Sequence, residues 1–136
     1  MFAHHFGITK AAKFGITKVA KGGTKIGEWL PNSNNTLWLN LVDNIRADNG
    51  SIEAFFWFQG ENDLFPVSIP KQEYLDSLTR FIRAVRSELF EAHSARWGRP
   101  GSPTARFATP LDIPVVIVEL GAFFGNRQTT NRGEAF

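Results

Sequence analysis

Two segments of the chain repeat apolar residues at the spacing of a helix. Residues at three- and four-position intervals share one face of a helix, so the pattern predicts helices over residues 36–47 and 70–93. The apolar positions are Leu37, Trp38, Leu41 and Ile45 in the first helix, and Tyr74, Leu78, Phe81, Ile82, Val85 and Leu89 in the second. Asn34 or Asn35 is placed to cap the first helix, and Pro70 suits the first turn of the second.

Three shorter segments predict strands. Residues 14–20 end at the Gly22-Gly23 turn, and residues 52–58 and 113–119 are nearly continuous apolar runs. Such runs are typical of strands that are buried on both faces. Strands that alternate with helices predict an α/β fold, in which helices cover both sides of a parallel sheet as a three-layer sandwich. Natural sheets of this kind have more than three strands, so we expect the sandwich to be incomplete at both ends.

The two ends of the chain differ from the segment between them. The octapeptide of residues 6–13 is repeated with one change at residues 14–21. The second copy adjoins the next element and is expected to fill the strand position, which leaves residues 1–13 as a duplicated basic arm. The chain is polar and without periodicity from Asn126 onward, and we expect a frayed tail over residues 123–136.

Composition excludes several classes of partner. The net charge is only +2, and the lysines before Glu28 form no dense run, so we expect no nucleic-acid partner. No apolar run is long enough to span a bilayer, and the N-terminus has no signal-peptide pattern. The chain has no cysteine, and its histidines (His4, His5 and His93) lack metal-ligand spacing, so we expect neither a metal nor a cofactor. Localisation and oligomeric state stay open.

Two loops follow predicted strands and carry candidate chemistry. In parallel sheets, ligands bind beyond the carboxyl ends of the strands. The first loop is Lys21-Gly-Gly-Thr-Lys25, whose paired glycines let the backbone approach a ligand closely. It lacks the pattern of a phosphate-binding loop, although a nucleotide-binding half-domain remains an alternative. The second is Gln59-Gly-Glu-Asn-Asp63, which follows an apolar run abruptly and is alternatively a polar turn that caps a helix.

Together the two loops resemble those of a known family. Four segments, in this order, are similar to the central part of the sialate O-acetylesterase-like carbohydrate esterases. They are Ala20-Lys-Gly-Gly-Thr24 before Glu28-Trp29, Trp57-Phe-Gln-Gly-Glu-Asn-Asp63, a helix with Tyr74, and a strand at Pro114–Val118. These enzymes belong to the SGNH hydrolase superfamily. The resemblance covers residues 14–122, which we predict to be a partial domain of the flavodoxin-like SGNH fold.

The resemblance implies roles for the residues of both loops. Members of the family hydrolyse acetyl esters on carbohydrates with a serine nucleophile, a histidine base and usually an aspartate. Gly22 or Gly23 matches the backbone donor of the oxyanion hole, whereas Gln59 and Asn62 are alternative side-chain donors, of which we favour Gln59. Fixed donors of this kind commonly contribute about a hundred- to a thousandfold in rate. The residues expected to bind substrate or hold the loops are Thr24, Trp29, Gly60, Glu61 and Asp63.

The catalytic serine and histidine motifs are absent from this sequence. The family's Gly-Gln-Ser-Asn turn does not occur, and no histidine has an aspartate three residues before it. Without an activated nucleophile the remaining donors can only bind, so we expect this chain alone to be inactive. Truncation at both ends explains the missing motifs better than mutation does. The alternative is a non-catalytic carbohydrate-binding or interaction protein, in which Trp29, Trp57 and the Phe-rich strand supply a stacking surface.

Overall fold

The structure, a computed structural model, describes residues 15–32, 34–48, 54–64, 69–98, 100–101 and 107–118. The predicted basic arm over residues 1–13 and the predicted tail over residues 123–136 lie outside the described residues. So do Phe14, residues 52–53 and Glu119 at the ends of the predicted strands.

Helices form most of the regular structure. Helix α1 spans Thr36–Ala47, α2 is a single turn at Glu61–Leu64, and α3 spans Lys71–Trp97. Short 3₁₀ helices occupy Ile26–Trp29 and Pro110–Asp112. The two predicted helices are therefore confirmed, with the second continuing four residues further than expected.

The cap of α1 differs from the prediction. Asn35 occupies the N-cap position, but its side chain does not bond the amides of the first turn. Its Nδ2 instead donates to the carbonyls of Leu30 at 3.0 Å and Gly27 at 3.4 Å. Asn35 therefore joins α1 to the preceding 3₁₀ helix.

The described strands form a two-stranded parallel sheet. Strand β1 spans Phe55–Trp57 and β2 spans Val115–Ile117, with Phe56 opposite Val116. Helix α3 lies between them in the chain, which is the β–α–β order that a parallel pair requires. The chain is thus an α/β protein, as the alternation of elements predicts.

The first predicted strand is wrong over its described part. Residues 15–20 have no regular secondary structure, and Ile16 is 91% exposed. A strand is stable only when a neighbour satisfies its amides and carbonyls, and neither β1 nor β2 pairs with this segment. Its side-chain anchor is a hydrogen bond from Thr17 Oγ1 to Asp48 Oδ2 at 2.7 Å.

The core lies between α3, α1 and one face of the sheet. Phe81 of α3 is fully buried, and its ring lies 4.3 Å from Trp57, 6.1 Å from Phe55 and 6.3 Å from Trp38, measured between centroids. A salt bridge between Arg46 and Glu88 at 2.9 Å joins α1 to α3 at the surface. Aromatic burial of this kind dominates the stabilisation of small cores.

The opposite face of the sheet is exposed. Phe56 is 59% and Phe58 65% exposed, and Val116 and Val118 beside them are also exposed. The expectation that the strands are buried on both faces is therefore wrong for the described residues. A continuous apolar run does not itself say how many layers cover it, because the second layer must come from elsewhere in sequence.

Candidate functional site

The two loops singled out in the sequence meet at the carboxyl end of β1. Asn62 Nδ2 donates to the carbonyl of Gly23 at 2.8 Å, and Gln59 Nε2 donates to the carbonyl of Thr24 at 2.8 Å. These bonds join residues 35 to 39 positions apart in the chain. The loops therefore share one site at the sheet edge where parallel α/β folds bind ligands.

Asp63 is the charged centre of this junction. Its side chain is only 2% exposed, and both carboxylate oxygens accept from the amide of Ile26 at 3.0 and 3.1 Å. Gln59 Nε2 donates to the same carboxylate at 2.6 Å. A buried carboxylate requires such donors, because desolvating an unpaired charge is costly.

The side-chain amide of Gln59 is hydrogen-bonded to other residues of the protein. The amide group has two N–H donors, and they bond Thr24 and Asp63. The side-chain oxygen of Gln59 is buried and has no hydrogen-bond partner in the described part of the chain. In this arrangement Gln59 connects the loops and has no N–H left for a ligand.

Asn62 differs from Gln59 in this respect. It is half-buried, and one of the two Nδ2 hydrogens is donated to Gly23. The other has no bond to any residue that the structure describes. Asn62 therefore retains a donor beside the glycine turn.

The Gly22-Gly23 turn is exposed and offers backbone donors. Gly23 has a φ of +72°, a conformation that favours glycine over residues with a side chain. Neither glycine amide donates a hydrogen bond to another described residue. Lys21 and Lys25 flank the turn, and the Glu28 carboxylate lies beside it and accepts from the Lys25 amide at 2.7 Å.

Thr24 fixes the turn from its carboxyl side. Its buried hydroxyl accepts from Trp29 Nε1 at 2.9 Å and donates to the carbonyl of Lys21 at 3.1 Å. The second bond closes the loop around the two glycines. Trp29 thus reaches the site through its indole nitrogen, and its ring lies in the core.

The alternative of a carbohydrate-binding protein placed a stacking surface at Trp29 and Trp57, which the structure does not support. Both side chains are buried, and the rings contact each other edge to face with centroids 5.5 Å apart. A ring that stacks on a ligand must present its face to the cleft. The exposed aromatic residues of this strand are Phe56 and Phe58, on the uncovered face of the sheet.

Gly60 and Glu61 shape the start of the second loop. Gly60 has a φ of +142°, and a Cβ placed on it would lie 3.0 Å from the Tyr74 hydroxyl. Its amide donates to Glu61 Oε2 at 3.1 Å, so this carboxylate is already engaged by the chain. Both features hold the loop in its turn toward Gly23.

Sequence reasoning missed the contribution of Tyr74 to this loop. The Tyr74 hydroxyl donates to the carbonyl of Gln59 at 3.0 Å, from the apolar face of α3. The sequence contains a signal for this role, since the Tyr74 hydroxyl is a polar group among the apolar positions of that helix. A partly buried hydroxyl usually finds a hydrogen-bond partner.

Burial raises the pKa of Tyr74 above its ordinary value. The nearby indole of Trp57 lowers this pKa, whereas the negative charges of Asp63 and Glu61 raise it further. The hydroxyl therefore keeps its proton and acts as a donor at neutral pH.

Neither a metal site nor a membrane-spanning helix is found in the described segments. No group of three or more His, Cys, Asp or Glu side chains is placed to hold a metal ion there. Among the helices described, none combines the length and the apolar character needed to cross a membrane.

Comparison with known protein families identifies the family of the chain. A family profile described as "Carbohydrate esterase, sialic acid-specific acetylesterase" matches residues 1–93, which include the glycine turn and the whole of Gln59–Asp63. The chain belongs to this carbohydrate esterase family. The family resemblance inferred from the two loops is therefore confirmed. No curated protein and no solved structure matches the chain in the same comparisons.

Proposed function

We propose that this carbohydrate esterase chain forms the oxyanion-binding part of a serine acetylesterase that acts on sugars. The observation that supports this most directly is the junction of the two loops, with Asn62 Nδ2 2.8 Å from the carbonyl of Gly23. Donors that are held together before substrate arrives stabilise the oxyanion of ester hydrolysis without reorganisation.

The donors are the amides of Gly22 and Gly23 and the free N–H of Asn62. This assignment reverses the preference for Gln59 drawn from the sequence, because both N–H groups of Gln59 are already donated. The loops are held in place by Thr24, Trp29, Gly60, Glu61 and Asp63.

The substrate is an acetylated carbohydrate, and a polar surface lies beside the turn. A shallow depression of about 310 Å³ adjoins Lys21, the residue before Gly22. Its polar lining consists of Lys21, Glu28, Asn32, Asn34, Asn35 and Thr36. Amide, hydroxyl and charged groups of this kind bond the hydroxyls of a sugar.

The fold that we propose for the site is the three-layer, flavodoxin-like sandwich of SGNH hydrolases, with residues 14–122 as its part in this chain. The β–α–β order and the packing of α3 on one sheet face support it. The apolar face at Phe56 and Phe58 is where a second helical layer would pack.

The reaction also needs a nucleophile and a base, and the family's motifs for them do not occur in this sequence. We therefore expect the 136-residue chain to bind but not to turn over an aryl acetate above the uncatalysed rate. Release of the aryl alcohol at a rate that saturates with substrate would contradict this expectation.

A binding experiment tests the function without requiring turnover. The ¹⁵N-labelled chain, at a concentration where it is monomeric, is titrated with an O-acetylated sialic acid and separately with the same sugar lacking the ester. We expect the ester to shift the amide resonances of Gly22 and Gly23 and the side-chain resonance of Asn62. The sugar alone should shift these resonances less.

The matched variants are Asn62→Ala at the site and Asn40→Ala on the exposed surface of α1. The first should weaken binding of the ester, and the second should leave it unchanged. Equal shifts with both sugars, or shifts confined to residues remote from the turn, would contradict the proposed function.

A further inference from the structure

We infer that the Gln59–Asp63 pair is a positioning device that sets where the Gly22-Gly23 amides point. The pair does this through Thr24 and Ile26, without touching substrate itself. Its consequence for catalysis rests on the proposed function, whereas the placement of the turn can be measured without any ligand.

The glycine turn has little support of its own. A Cβ built at Gly22 or Gly23 would meet no atom within 4 Å, and the side-chain contact that either glycine makes is the bond from Asn62 Nδ2 to the Gly23 carbonyl. Both residues are exposed. The direction of their amides must therefore be fixed by the segment that follows them and by hydrogen bonds.

The following segment is anchored through the backbone. Thr24 and Ile26 are buried, and the Gln59–Asp63 pair bonds the carbonyl of the first and the amide of the second. A backbone group cannot rotate away as a side chain can. These bonds therefore fix the orientation of the chain immediately after the turn.

The two members of the pair depend on each other. Gln59 spans from Thr24 to Asp63 with a single amide group, at 2.8 and 2.6 Å. Among the described residues, the donors to the Asp63 carboxylate are neutral amides, from Ile26 and from Gln59. Removing the charge or the amide weakens the bonds that this pair makes to the first loop and leaves a buried group unpaired.

Helix α3 contains a natural control for this pair. Gln72 Nε2 donates to Asp76 Oδ1 at 2.8 Å, so the same two residue types interact at the same spacing of four positions. That pair is exposed and connects no loops. Substitutions there change the same chemistry without affecting the site.

The test compares Asp63→Asn with Asp76→Asn in the ¹⁵N-labelled full chain. Asp63→Asn replaces one carboxylate oxygen with an NH₂ group, which faces the N–H of Ile26 or of Gln59 whichever way the side chain lies, so the connection is weakened. We expect large shifts of the Gly22 and Gly23 resonances and a fall in their order parameters from about 0.85 toward 0.6 or below. Asp76→Asn should change neither.

A loss of general stability must be separated from a loss of positioning. Val85→Ala in the core of α3 should lower the melting temperature and leave the Gly22 and Gly23 signals in place. If Asp63→Asn does not fold, Gln59→Met removes the amide at similar length and gives the same readout.

The inference is overturned if Asp63→Asn, or Gln59→Met in its place, leaves the order parameters and shifts of both glycines unchanged. It is also overturned if Val85→Ala alters them as much as the site variant does. A failure of the sugar titration with a positive result here would contradict the proposed function alone.

Discussion

At Gly60, both the backbone conformation and the neighbouring Tyr74 side chain disfavour a residue with a Cβ. Its φ of +142° is rarely adopted by residues with a Cβ, and the Tyr74 hydroxyl lies 3.0 Å from where that Cβ would be. Tyr74 is itself held by its bond to the carbonyl of Gln59. The loop therefore tolerates only glycine at this position.

Gly60→Ala is expected to lower the free energy of unfolding by about 1–3 kcal/mol, the usual cost of a strained backbone conformation. Gly27→Ala is the control, because its Cβ would meet nothing within 4 Å and its φ is not in the glycine region. Urea unfolding followed by tryptophan fluorescence measures both. Equal effects of the two substitutions would contradict this account of Gly60.

The raised pKa of Tyr74 predicts a pH dependence with a defined sign. Unfolded tyrosine loses its proton near pH 10, whereas the folded protein holds the proton to higher pH. The unfolded state therefore binds fewer protons above this pH, and the free energy of unfolding falls as pH rises from about 10 through the folded pKa. Below pH 10 this contribution to stability is complete.

Tyr74 is the only tyrosine in the sequence, so phenolate absorbance reports this residue alone. We expect a midpoint above pH 10 in the folded chain and close to 10 in concentrated urea. Tyr74→Phe should remove the corresponding slope in stability against pH. A folded midpoint at or below the unfolded one would contradict the burial of this hydroxyl.

At the residue scale, sequence reasoning located the site but not the direction of its side chains. The run Gln59–Asp63 stands out because polar residues follow an apolar strand abruptly. Which of Gln59 and Asn62 keeps a free N–H depends on bonds to Thr24 and Gly23, more than thirty positions away. Spacing within one loop contains no information about such partners.

At the scale of elements, α3 connects the sheet to the rest of the core. Phe81 has no exposed surface and contacts aromatic rings from both β1 and α1. Its position on the helix agrees with the three- and four-residue period of the apolar residues. The helices could be predicted because this period is a property of the local sequence.

Phe81→Ala is expected to reduce the free energy of unfolding by about 3–5 kcal/mol, the range for a buried aromatic residue replaced by alanine. Leu75→Ala on the same helix should cost much less, since Leu75 is already exposed. Both values come from denaturant unfolding. A cost for Phe81→Ala no larger than that for Leu75→Ala would contradict the packing of α3 on the sheet.

The strands were predicted less well than the helices, for a physical reason. Residues 15–20 include the β-branched residues Ile16, Thr17 and Val19, but a strand also needs a partner with which to pair. The apolar runs of β1 and β2 are genuine strands, yet one of their faces is exposed. Pairing and the number of covering layers are set by distant segments, which local pattern does not reveal.

At the scale of the whole molecule, the exposed sheet face determines how the chain behaves in solution. Apolar surface is exposed by Phe56 and Val116 on the paired strands and by Phe58 and Val118, each one residue beyond its strand. Contiguous apolar surface of this kind promotes self-association.

We expect the 136-residue chain to self-associate as its concentration rises. Phe58→Thr should raise the highest concentration at which the chain is monomeric, because threonine keeps β propensity and removes apolar area. Sedimentation velocity measures both. Leu111→Thr is the control, since Leu111 is exposed outside the sheet. Equal effects of the two substitutions would contradict a role for the sheet face.

The proposed function requires that the glycine turn and Asn62 form one anion-binding site. Titration of the ¹⁵N-labelled chain with methylphosphonate, a tetrahedral anion, tests this most directly, with planar acetate as the comparison. We expect methylphosphonate to shift the resonances of the Gly22 and Gly23 amides and of the Asn62 side chain together, and to bind more tightly than acetate does. Lys21→Gln should weaken this binding without abolishing it. Shifts that follow only the lysines, or that leave Asn62 unmoved while the glycines respond, would contradict it.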